Sequence, residues 1–505
     1  MMPKVTTKTG VLVGKVLDGD VDAYLGVPFA KPPVGSLRWK APQPLDPSDR
    51  EIDCTEFGKA PMQKVDPVMI DSCRELSEDC LNLNVWVRNP EGRTDLPVMV
   101  FIHGGSYMEG GIADPEINGA QFARRTGVIL VNLNYRLNAF GFLNLGSLPG
   151  GEEFPDASTC GIQDQIAALK WVHENIAAFG GDPGNVTLFG ESCGGGSVML
   201  LCVAQGAKGL FNKAICESGP IQLYNTPETS APYAKEVMEL LDCRNAQELA
   251  AVPVGIVQEV LCDKFFHNHE HDVSLLYAPT CDGRVLPKKP LQALKDGAAK
   301  DIELMIGTNN DEFAYWGLYW DLATQMPDFW HHQAVIHFDG KLDNKKYETA
   351  WTNAYPDQDP GERYLEYTNQ IGFRVGSDLI AQYQSAYNKV YHYLFAYESK
   401  VPGMHSCHAL ELPFVFDNRD VPGVNKGLTG EVPPQRLADS MQDAWASFAR
   451  TGDPSTPSNP HWDPYDTNHR NTMVMDENSW SCEQNINDKN DGLLRSAFEE
   501  CLLED

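Results

Sequence analysis

The sequence predicts an α/β fold, in which helices cover both faces of a mainly parallel β-sheet. Residues 97–102, 128–134 and 302–307 are short apolar runs with the length of buried strands. Residues 163–179 carry apolar side chains at helical spacing, and a Gly-Gly-Asp-Pro segment ends that pattern. Residues 186–189 form another apolar run, which precedes a glycine-rich turn. Buried strands that alternate with helices form parallel sheets, because each crossover helix returns the chain to the same edge.

The flanking regions predict further strands and helices. Residues 81–87 alternate apolar and polar side chains, a pattern typical of a half-exposed strand. Residues 389–396 return to strand character, and residues 433–450 predict a long helix. The chain closes on residues 491–505, which predict a short, acidic, amphipathic helix.

We expect a single domain over residues 1–505, since no linker rich in Pro, Gly or Ser divides the chain. Two stretches, roughly within 224–300 and 316–380, are helical in pattern and rich in polar or aromatic residues. We expect them to be helical cap insertions that lie over the sheet.

Composition excludes several classes of partner. The net charge is -30, and a strongly acidic surface repels nucleic acid and anionic lipid. The sequence contains no apolar run of about 18 residues, so we expect no membrane-spanning helix. Residues 1–10 lack the apolar core of a signal peptide, and the 13 cysteines include no C-x-x-C pair. We therefore expect a cytoplasmic protein with reduced cysteines, and the sequence does not predict its oligomeric state.

The central motif is a G-x-S-x-G segment, Gly190-Glu191-Ser192-Cys193-Gly194. It follows an apolar run and precedes a helix-like stretch, which is the context of a nucleophile on a tight strand-to-helix turn. The flanking glycines leave room for the strained turn, and the helix N-terminus favours developing negative charge near Ser192. The motif therefore predicts Ser192 as a nucleophile.

A second glycine motif predicts an oxyanion hole. His103-Gly104-Gly105-Ser106 follows a buried strand, where a lipase or esterase carries its H-G-G-G loop. Backbone N–H groups at such a loop stabilise the charge that develops on the carbonyl oxygen when a serine attacks an ester. We expect the donors to be the N–H groups of Gly105, Ser106 and Cys193.

Further motifs occur in order over most of the chain: Tyr24-Leu25-Gly26-Val27-Pro28-Phe29-Ala30, Ser77-Glu78-Asp79-Cys80-Leu81-Asn82-Leu83-Asn84-Val85-Trp86, Asn134-Tyr135-Arg136, Phe179-Gly180-Gly181-Asp182-Pro183, Val186-Thr187-Leu188-Phe189-Gly190-Glu191-Ser192 and Phe448-Ala449-Arg450-Thr451-Gly452-Asp453-Pro454. In these motifs the chain resembles the type-B carboxylesterase family, which includes cholinesterases and bacterial para-nitrobenzyl esterases. The resemblance implies the α/β-hydrolase fold and a serine carboxylesterase that acts on a small-molecule ester, without a metal or an organic cofactor.

The resemblance also implies a Ser-Glu-His triad in that order along the chain. Glu312 takes the acid position of a G-x-N-x-x-E segment, beside the alternative Asp311. His408 takes the first position of an H-x-x-E-L-P-F segment, and the alternative His405 lacks that register. His408 would then relay the proton of Ser192, and Glu312 would fix the imidazole tautomer.

The chain departs from its relatives at both predicted oxyanion positions. Ser106 replaces the third glycine of H-G-G-G, which narrows the approach but keeps the backbone N–H. Cys193 stands where relatives usually carry alanine, and we interpret its thiol as a space-filling group.

Two further departures concern a loop near Cys80. Secreted relatives join the cysteine of E-D-C to a partner near F-G-P-x-C, whereas that partner position here carries Pro61. Cys54 and Cys73 could substitute for the partner, although nothing in the sequence requires it. Cholinesterases carry a cation-binding tryptophan in the same loop, where this chain has Ile70, so we expect an uncharged substrate.

Three alternatives remain open at the level of sequence. The histidine-rich segment 267–272 could hold a metal on one face of a strand, although we interpret it as an exposed loop. The chain could be an esterase dedicated to one natural product or xenobiotic ester. It could also be a non-catalytic binding module, which the presence of Ser192, Glu312 and His408 disfavours. The role of Glu191, beside the predicted nucleophile, is undecided between position and electrostatics.

Overall fold

A computed structural model of the chain describes residues 2–64, 75–265, 276–318, 338 and 340–503, apart from the side chains of residues 262–264. The positions Ile70 and Cys73 and the histidine-rich segment 267–272 lie outside the described residues. The chain divides into two compact units: the first comprises Met1–Leu188, Ala204–Asn212 and Leu223–Lys288, and the second comprises Phe189–Val203, Lys213–Gln222 and Lys289–Asp505. The predicted single domain with cap insertions stays a prediction.

The strands of the first unit form a mixed sheet and two smaller sheets. The part of the mixed sheet in this unit has the order β11-β9-β10-β8-β4-β3, in which β9 and β10 are parallel and β8 is antiparallel to both of its neighbours. The smaller sheets are β1-β2-β5 and β6-β7. In chain order, the strands are β1 (Lys4–Thr7), β2 (Gly10–Val13), β3 (Lys15–Leu17), β4 (Val21–Pro28), β5 (Glu51–Asp53), β6 (Ala60–Pro61), β7 (Leu76–Ser77), β8 (Asn82–Val87), β9 (Leu96–Ile102), β10 (Ile129–Leu133) and β11 (Gly181–Glu191), whose last residues belong to the second unit.

The strands of the second unit lie side by side in chain order. Strands β12 to β15 are parallel and β16 is antiparallel to β15. The strands are β12 (Lys213–Glu217), β13 (Glu303–Asn309), β14 (Val390–Phe395), β15 (Thr472–Met475) and β16 (Trp480–Glu483). Because β12, β13 and β14 are parallel, the segments that follow Glu217, Asn309 and Phe395 begin at the same edge of the sheet.

The helices cover the strands of each unit. In the second unit, Val375–Ser385 packs against β13 and β14, and Cys193–Val203 packs against β12. No helix among the described residues has both the length and the apolar character needed to cross a membrane. The helices of the first unit are Ala120–Thr126, Asn138–Phe142, Cys160–Asn175, Pro227–Leu240, Ala246–Ala251 and Val254–Glu259. Those of the second are Cys193–Val203, Pro290–Lys295, Ala314–Gly317, Asn344–Ala354, Pro360–Asn369, Val375–Ser385, Leu412–Val415, Pro422–Val424, Gln435–Thr451 and Asp488–Leu502.

The helix predicted over 433–450 is confirmed as Gln435–Thr451. Its buried side chains Leu437, Met441, Trp445 and Phe448 recur at spacings of three or four residues, so one face packs into the core. The helix ends at Gly452, which adopts a left-handed φ of 74°.

The expectation of a half-exposed strand over 81–87 is wrong. Strand β8 is buried along its whole length: β10 and β4 flank it in the sheet, and the helix Ala120–Thr126 contacts it. The polar positions that produced the alternating pattern form buried hydrogen bonds instead of facing water. Asn84 Nδ2, for example, donates to Asn132 Oδ1 at 2.9 Å and to Ile112 O at 3.0 Å.

Candidate active site

Ser192 occupies the turn between a buried strand and a helix. Strand β11 ends at Glu191, and the helix begins at Cys193. The φ angle of Ser192 is 57°, a left-handed conformation that costs on the order of 1 kcal/mol for a residue with a side chain. The N–H of Ser192 donates to Glu217 O at 2.9 Å, which holds the turn at the end of β12. The predicted strained turn between strand and helix is confirmed.

Two glycines allow the helix after Ser192 to approach the segment after β12. A Cβ atom at Gly195 would lie 2.8 Å from Glu217 O and 2.9 Å from Gly219 Cα. A Cβ atom at Gly219 would lie 2.5 Å from the backbone carbonyl carbon of Gly195 in that helix. A side chain at either position would push the helix away, so these glycines fix the place of the turn.

Glu312 and His408 contact each other directly. His408 Nδ1 lies 2.5 Å from Glu312 Oε2, and the backbone N–H of His408 donates to Glu312 O at 3.1 Å. Glu312 follows β13 and is only 1% exposed, whereas His408 lies on the segment after β14. The parallel pairing of β13 with β14 brings the two residues to the same edge.

The second carboxylate oxygen of Glu312 also has partners. Oε1 accepts hydrogen bonds from Ser218 Oγ at 2.6 Å and from Asn309 N at 2.8 Å. Sequence reasoning did not identify Ser218. The available signal was its position directly after the buried strand β12, the parallel neighbour of the strand that precedes Glu312.

The alternatives to the predicted pair, Asp311 and His405, have other partners in the structure. Asp311 accepts hydrogen bonds from Ser406 N at 3.3 Å and from Asn310 Nδ2 at 3.0 Å. The side chain of His405 is 54% exposed and lies 3.4 Å from Glu398. Neither alternative joins the Glu312–His408 pair.

His408 has a second carboxylate beside its other ring nitrogen. Nε2 lies 3.1 Å from Glu191 Oε1, but it has no hydrogen-bond partner in the described part of the chain. The rings of Trp316 and Phe373 lie 5.3 Å and 4.8 Å from the imidazole, measured between centroids. The imidazole is therefore in contact with two aromatic rings and has a carboxyl group beside each of its ring nitrogens.

The charge around His408 determines its protonation. Burial lowers the pKa of His408, but the carboxylates of Glu191 and Glu312 outweigh burial and raise it to about 9. Burial raises the pKa of Glu191 to about 7, despite the opposing effect of His408. The 3.1 Å separation favours an electrostatic role for Glu191, between which and a positional role the sequence alone did not decide.

Two more buried carboxyl groups lie near this pair. Glu411 Oε2 accepts a hydrogen bond from Asn309 Nδ2 at 2.6 Å, and burial raises the pKa of Glu411 to about 8. Glu217 Oε1 accepts a hydrogen bond from Trp445 Nε1 at 2.5 Å, and burial raises the pKa of Glu217 well above its usual range. Burial therefore favours the neutral form of both groups.

The predicted oxyanion residues lie in different units of the structure. In the first unit, Gly105 and Ser106 form a tight turn after β9, with φ angles of 99° and 54°. A Cβ atom at Gly105 would lie 2.2 Å from Glu109 O, so only glycine fits this position. Cys193 belongs to the second unit, where it is fully buried and forms no disulfide. The joint action of these three residues stays a prediction.

The described residues offer no metal centre. No group of three or more His, Cys, Asp and Glu side chains among them has an arrangement suited to a metal ion. The groups present at the candidate site are a strained serine, an imidazole and several buried carboxyl groups.

Comparison with known proteins identifies the family. The profile of the carboxylesterase family matches residues 1–493. The chain belongs to the carboxylesterase family. It is 36% identical to the para-nitrobenzyl esterase of Bacillus subtilis (strain 168), over 94% of each chain. It is 32% identical to the liver carboxylesterase of Sus scrofa, over 92% of this chain and 88% of that protein.

The fold of the family is also observed in solved structures. A carboxylesterase from Geobacillus stearothermophilus, solved at pH 6.2, is similar with a TM-score of 0.83 and 33% identity. The similarity covers 98% of this chain and 99% of that chain. The chain thus has the α/β-hydrolase fold and is a carboxylic-ester hydrolase, which confirms the predictions of fold, family and enzyme class.

Proposed function

We propose that the chain hydrolyses neutral carboxylic esters through an acyl-enzyme on Ser192. In this proposal His408 is the general base and acid, and Glu312 orients the imidazole. The N–H groups of Gly105, Ser106 and Cys193 stabilise the oxyanion. The observation that carries the proposal is the 2.5 Å contact between His408 Nδ1 and Glu312 Oε2, at the same sheet edge as the strained turn of Ser192.

The reaction has two halves with the same proton relay. Ser192 Oγ attacks the ester carbon and gives its proton to His408 Nε2, which passes it to the departing alcohol. Water then attacks the acyl carbon and gives a proton to Nε2, and the proton returns to Ser192 Oγ as the acid leaves. The sum is one ester and one water converted to one alcohol and one acid.

The hydrogen bonds around Glu312 support its role as the group that orients His408 in this relay. Its carboxylate accepts hydrogen bonds from Ser218 Oγ and Asn309 N on one oxygen and contacts His408 Nδ1 with the other, so its orientation toward the imidazole is fixed. By accepting a hydrogen bond from Nδ1, Glu312 keeps the proton of His408 on that nitrogen, so that the lone pair of the neutral ring is on Nε2.

The buried carboxyl groups support a preference for neutral esters. The carboxylates of Glu191 and Glu312 lie on either side of the His408 imidazole, at 3.1 Å and 2.5 Å, so an acyl or alcohol group with a negative charge would meet repulsion near the imidazole. We expect the value of kcat/KM for para-nitrophenyl acetate to exceed that for the para-nitrophenyl monoester of succinate by at least about 10-fold. Equal values for the two esters would contradict the preference.

We also infer a reducing, cytoplasmic environment. The described cysteines, among them Cys54 and Cys80, are thiols and not disulfides, and Pro61 occupies the usual position of the disulfide partner. The stability of the protein in a thiol reductant tests this inference. We expect no change in the midpoint of thermal unfolding, because no bond would be lost.

The nucleophile can be tested by covalent labelling. Purified protein is incubated with a short-chain para-nitrophenyl ester, with and without a fluorophosphonate, and any adduct is located by peptide mass spectrometry. We expect hydrolysis to stop when one adduct forms on Ser192. An adduct on another residue, or hydrolysis that survives full labelling, would contradict the proposal.

Ser192→Ala provides the matched variant for this experiment. It removes only the hydroxyl, and we expect it to lose the adduct and about 10³-fold or more of kcat. Ser106→Ala is the control, because Ser106 contributes its backbone N–H and should still permit labelling of Ser192.

A further inference from the structure

A single π-helical turn lies between two helices of the second unit. It spans Gln370–Arg374, after the helix Pro360–Asn369 and before the helix Val375–Ser385. Turns of this type are rare, and they occur often at functional sites because they change the direction of consecutive side chains. The last two side chains of this turn contact His408 and the backbone segment that precedes Glu312.

The aromatic ring of Phe373 packs beside the imidazole of His408. Its ring centroid is 4.8 Å from that of the imidazole. The neighbouring residue, Arg374, instead donates from Nη2 to the backbone carbonyls of Asn309 and Asn310, at 3.2 Å and 3.5 Å. Adjacent residues of the turn therefore contact the imidazole and the segment that precedes Glu312.

The carbonyl groups that Arg374 holds belong to the connection between β13 and Glu312. Within this connection, Asn309 N donates to Glu312 Oε1 at 2.8 Å, and Asn309 Nδ2 donates to Cys407 O at 2.7 Å, next to His408. A shift of the Asn309 backbone would thus move both the partner of Glu312 and the segment that carries His408. Arg374 is the charged side chain that binds this backbone from the side of the π-helical turn.

The guanidinium of Arg374 is buried beside the Asn309–Asn310 backbone that it binds. The residue is 8% exposed, and its Nε is buried without a hydrogen-bond partner among the described residues. A crevice with room for about one water molecule lies beside it, lined also by Asp378, His392 and Arg470. A buried guanidinium that donates to backbone carbonyls makes charge-assisted bonds, which are stronger than bonds from a neutral donor.

We propose that Arg374 is a positioning residue of the esterase, which holds the Asn309–Asn310 backbone so that Glu312 meets His408. The inference rests on the proposed function of Ser192, His408 and Glu312. Arg374 touches no reacting atom. It acts through the segment that places the triad acid, and a misplacement of about 1 Å in such a site costs on the order of 100-fold in rate.

The test compares Arg374→Ala with a matched control, Arg470→Ala. Arg470 lines the same crevice, but it pairs with Asp491 and Asp488 and does not contact the Asn309–Asn310 backbone. Both variants lose one partly or fully buried guanidinium, so a general effect on packing should appear in both. Arg374→Lys, which keeps a charged donor, serves as the conservative variant and as the substitute if Arg374→Ala does not fold.

The readout is the pH profile of kcat/KM for a para-nitrophenyl ester. We expect Arg374→Ala to lose about 10- to 100-fold in kcat with KM within about threefold of the native value. We also expect the acid limb of the profile, where kcat/KM falls as His408 becomes protonated, to move to lower pH. The reason is that a displaced Glu312 would raise the pKa of His408 less than it does in the native protein. Arg374→Lys should lie between the native protein and Arg374→Ala.

Guanidinium ion at low millimolar concentration supplies an independent readout. Removal of the Arg374 side chain enlarges the crevice, so we expect guanidinium to restore several-fold of the lost kcat in Arg374→Ala and in no other variant. An unmoved acid limb in Arg374→Ala, or an equal shift in Arg470→Ala, would overturn the inference. A native protein that fails to hydrolyse the ester at Ser192 would instead overturn the proposed function.

Discussion

Ser218 Oγ donates a hydrogen bond of 2.6 Å to Glu312 Oε1, the carboxylate oxygen that His408 Nδ1 does not contact. The proposed triad acid is therefore held on both of its oxygens. Ser218 itself has a left-handed φ of 49°, and its N–H donates to Gly307 O at 2.9 Å, so the backbone fixes its hydroxyl. This bond joins the ends of two neighbouring parallel strands, β12 and β13, at the site.

The first prediction concerns the hydrogen bond from Ser218 Oγ to Glu312 Oε1. We expect Ser218→Ala to lower kcat by about 10-fold, because a hydrogen bond to a charged group contributes on the order of 1.5–3 kcal/mol. The measurement is steady-state hydrolysis of a para-nitrophenyl ester. The matched control is Ser377→Ala, since Ser377 is also buried but bonds to His392, away from the triad. A kcat for Ser218→Ala equal to that of the control would count against the role of Ser218.

A second prediction concerns Glu191. The substitution Glu191→Gln removes a negative charge 3.1 Å from His408 Nε2, so the pKa of the imidazole should fall. Because only the neutral imidazole accepts a proton from Ser192, the acid limb of kcat/KM should move to lower pH, by on the order of one pH unit. The change is measured on the pH profile with a neutral ester. A limb that stays in place, or moves to higher pH, would show that Glu191 does not control His408.

A third prediction links the buried acids to stability. The folded-state pKa of Glu411 is raised to about 8, above its usual value of 4.5, so the native state binds the proton more tightly than the unfolded state. The contribution of Glu411 to the unfolding free energy is fully present below about pH 4.5, and it is lost as the pH rises to about 8. We expect Glu411→Gln to reduce the loss of unfolding free energy between pH 5 and pH 8, by on the order of a few kcal/mol.

Denaturant unfolding at several pH values measures this effect. The glutamine side chain of the Glu411→Gln variant can still accept the bond from Asn309 Nδ2, so the substitution removes mainly the titrating group. The control is Glu239→Gln, because the side chain of Glu239 is 64% exposed and should leave the pH dependence of the native protein unchanged. A pH dependence of stability identical in Glu411→Gln and the native protein would contradict the account of Glu411.

A fourth prediction concerns the turn after β9. Gly105 has a φ of 99°, and a Cβ atom there would lie 2.2 Å from Glu109 O. We expect Gly105→Ala to displace the turn and to lower kcat by about 100-fold or more, as the loss of an oxyanion donor does. Gly92→Ala is the control, because Gly92 also has a left-handed φ of 65° but has open space around it. Activity of Gly105→Ala at the level of the control would exclude Gly105 from the oxyanion hole.

Local patterns in the sequence predicted most of the elements around the site. The apolar runs around β9, β10 and β13 are buried strands, and the G-x-S-x-G segment is a strand-turn-helix, because both depend on neighbouring residues alone. The burial of β8 was missed, since its asparagines form hydrogen bonds with residues far along the chain. Such partners are not visible in a local pattern.

The site shows the same division between local and distant information. Glu312 and His408 were predicted from motifs of the resembling family, and the structure brings them together. Ser218 and Arg374 carry no motif that marks them, because their roles arise from the order of parallel strands and from one π-helical turn. The effect of Glu191 on His408 is likewise electrostatic and depends on a distance, which the sequence does not contain.

The most direct test of the proposed triad compares each member with its neighbouring alternative in a single kinetic series. The value of kcat/KM for a short-chain para-nitrophenyl ester is measured for Glu312→Gln against Asp311→Asn, and for His408→Gln against His405→Gln. We expect Glu312→Gln and His408→Gln to lose about 10³- to 10⁴-fold, and the two alternatives to stay within about threefold of the native value. Equal losses within either pair, or full activity of His408→Gln, would contradict the assignment of Ser192, His408 and Glu312 as the triad.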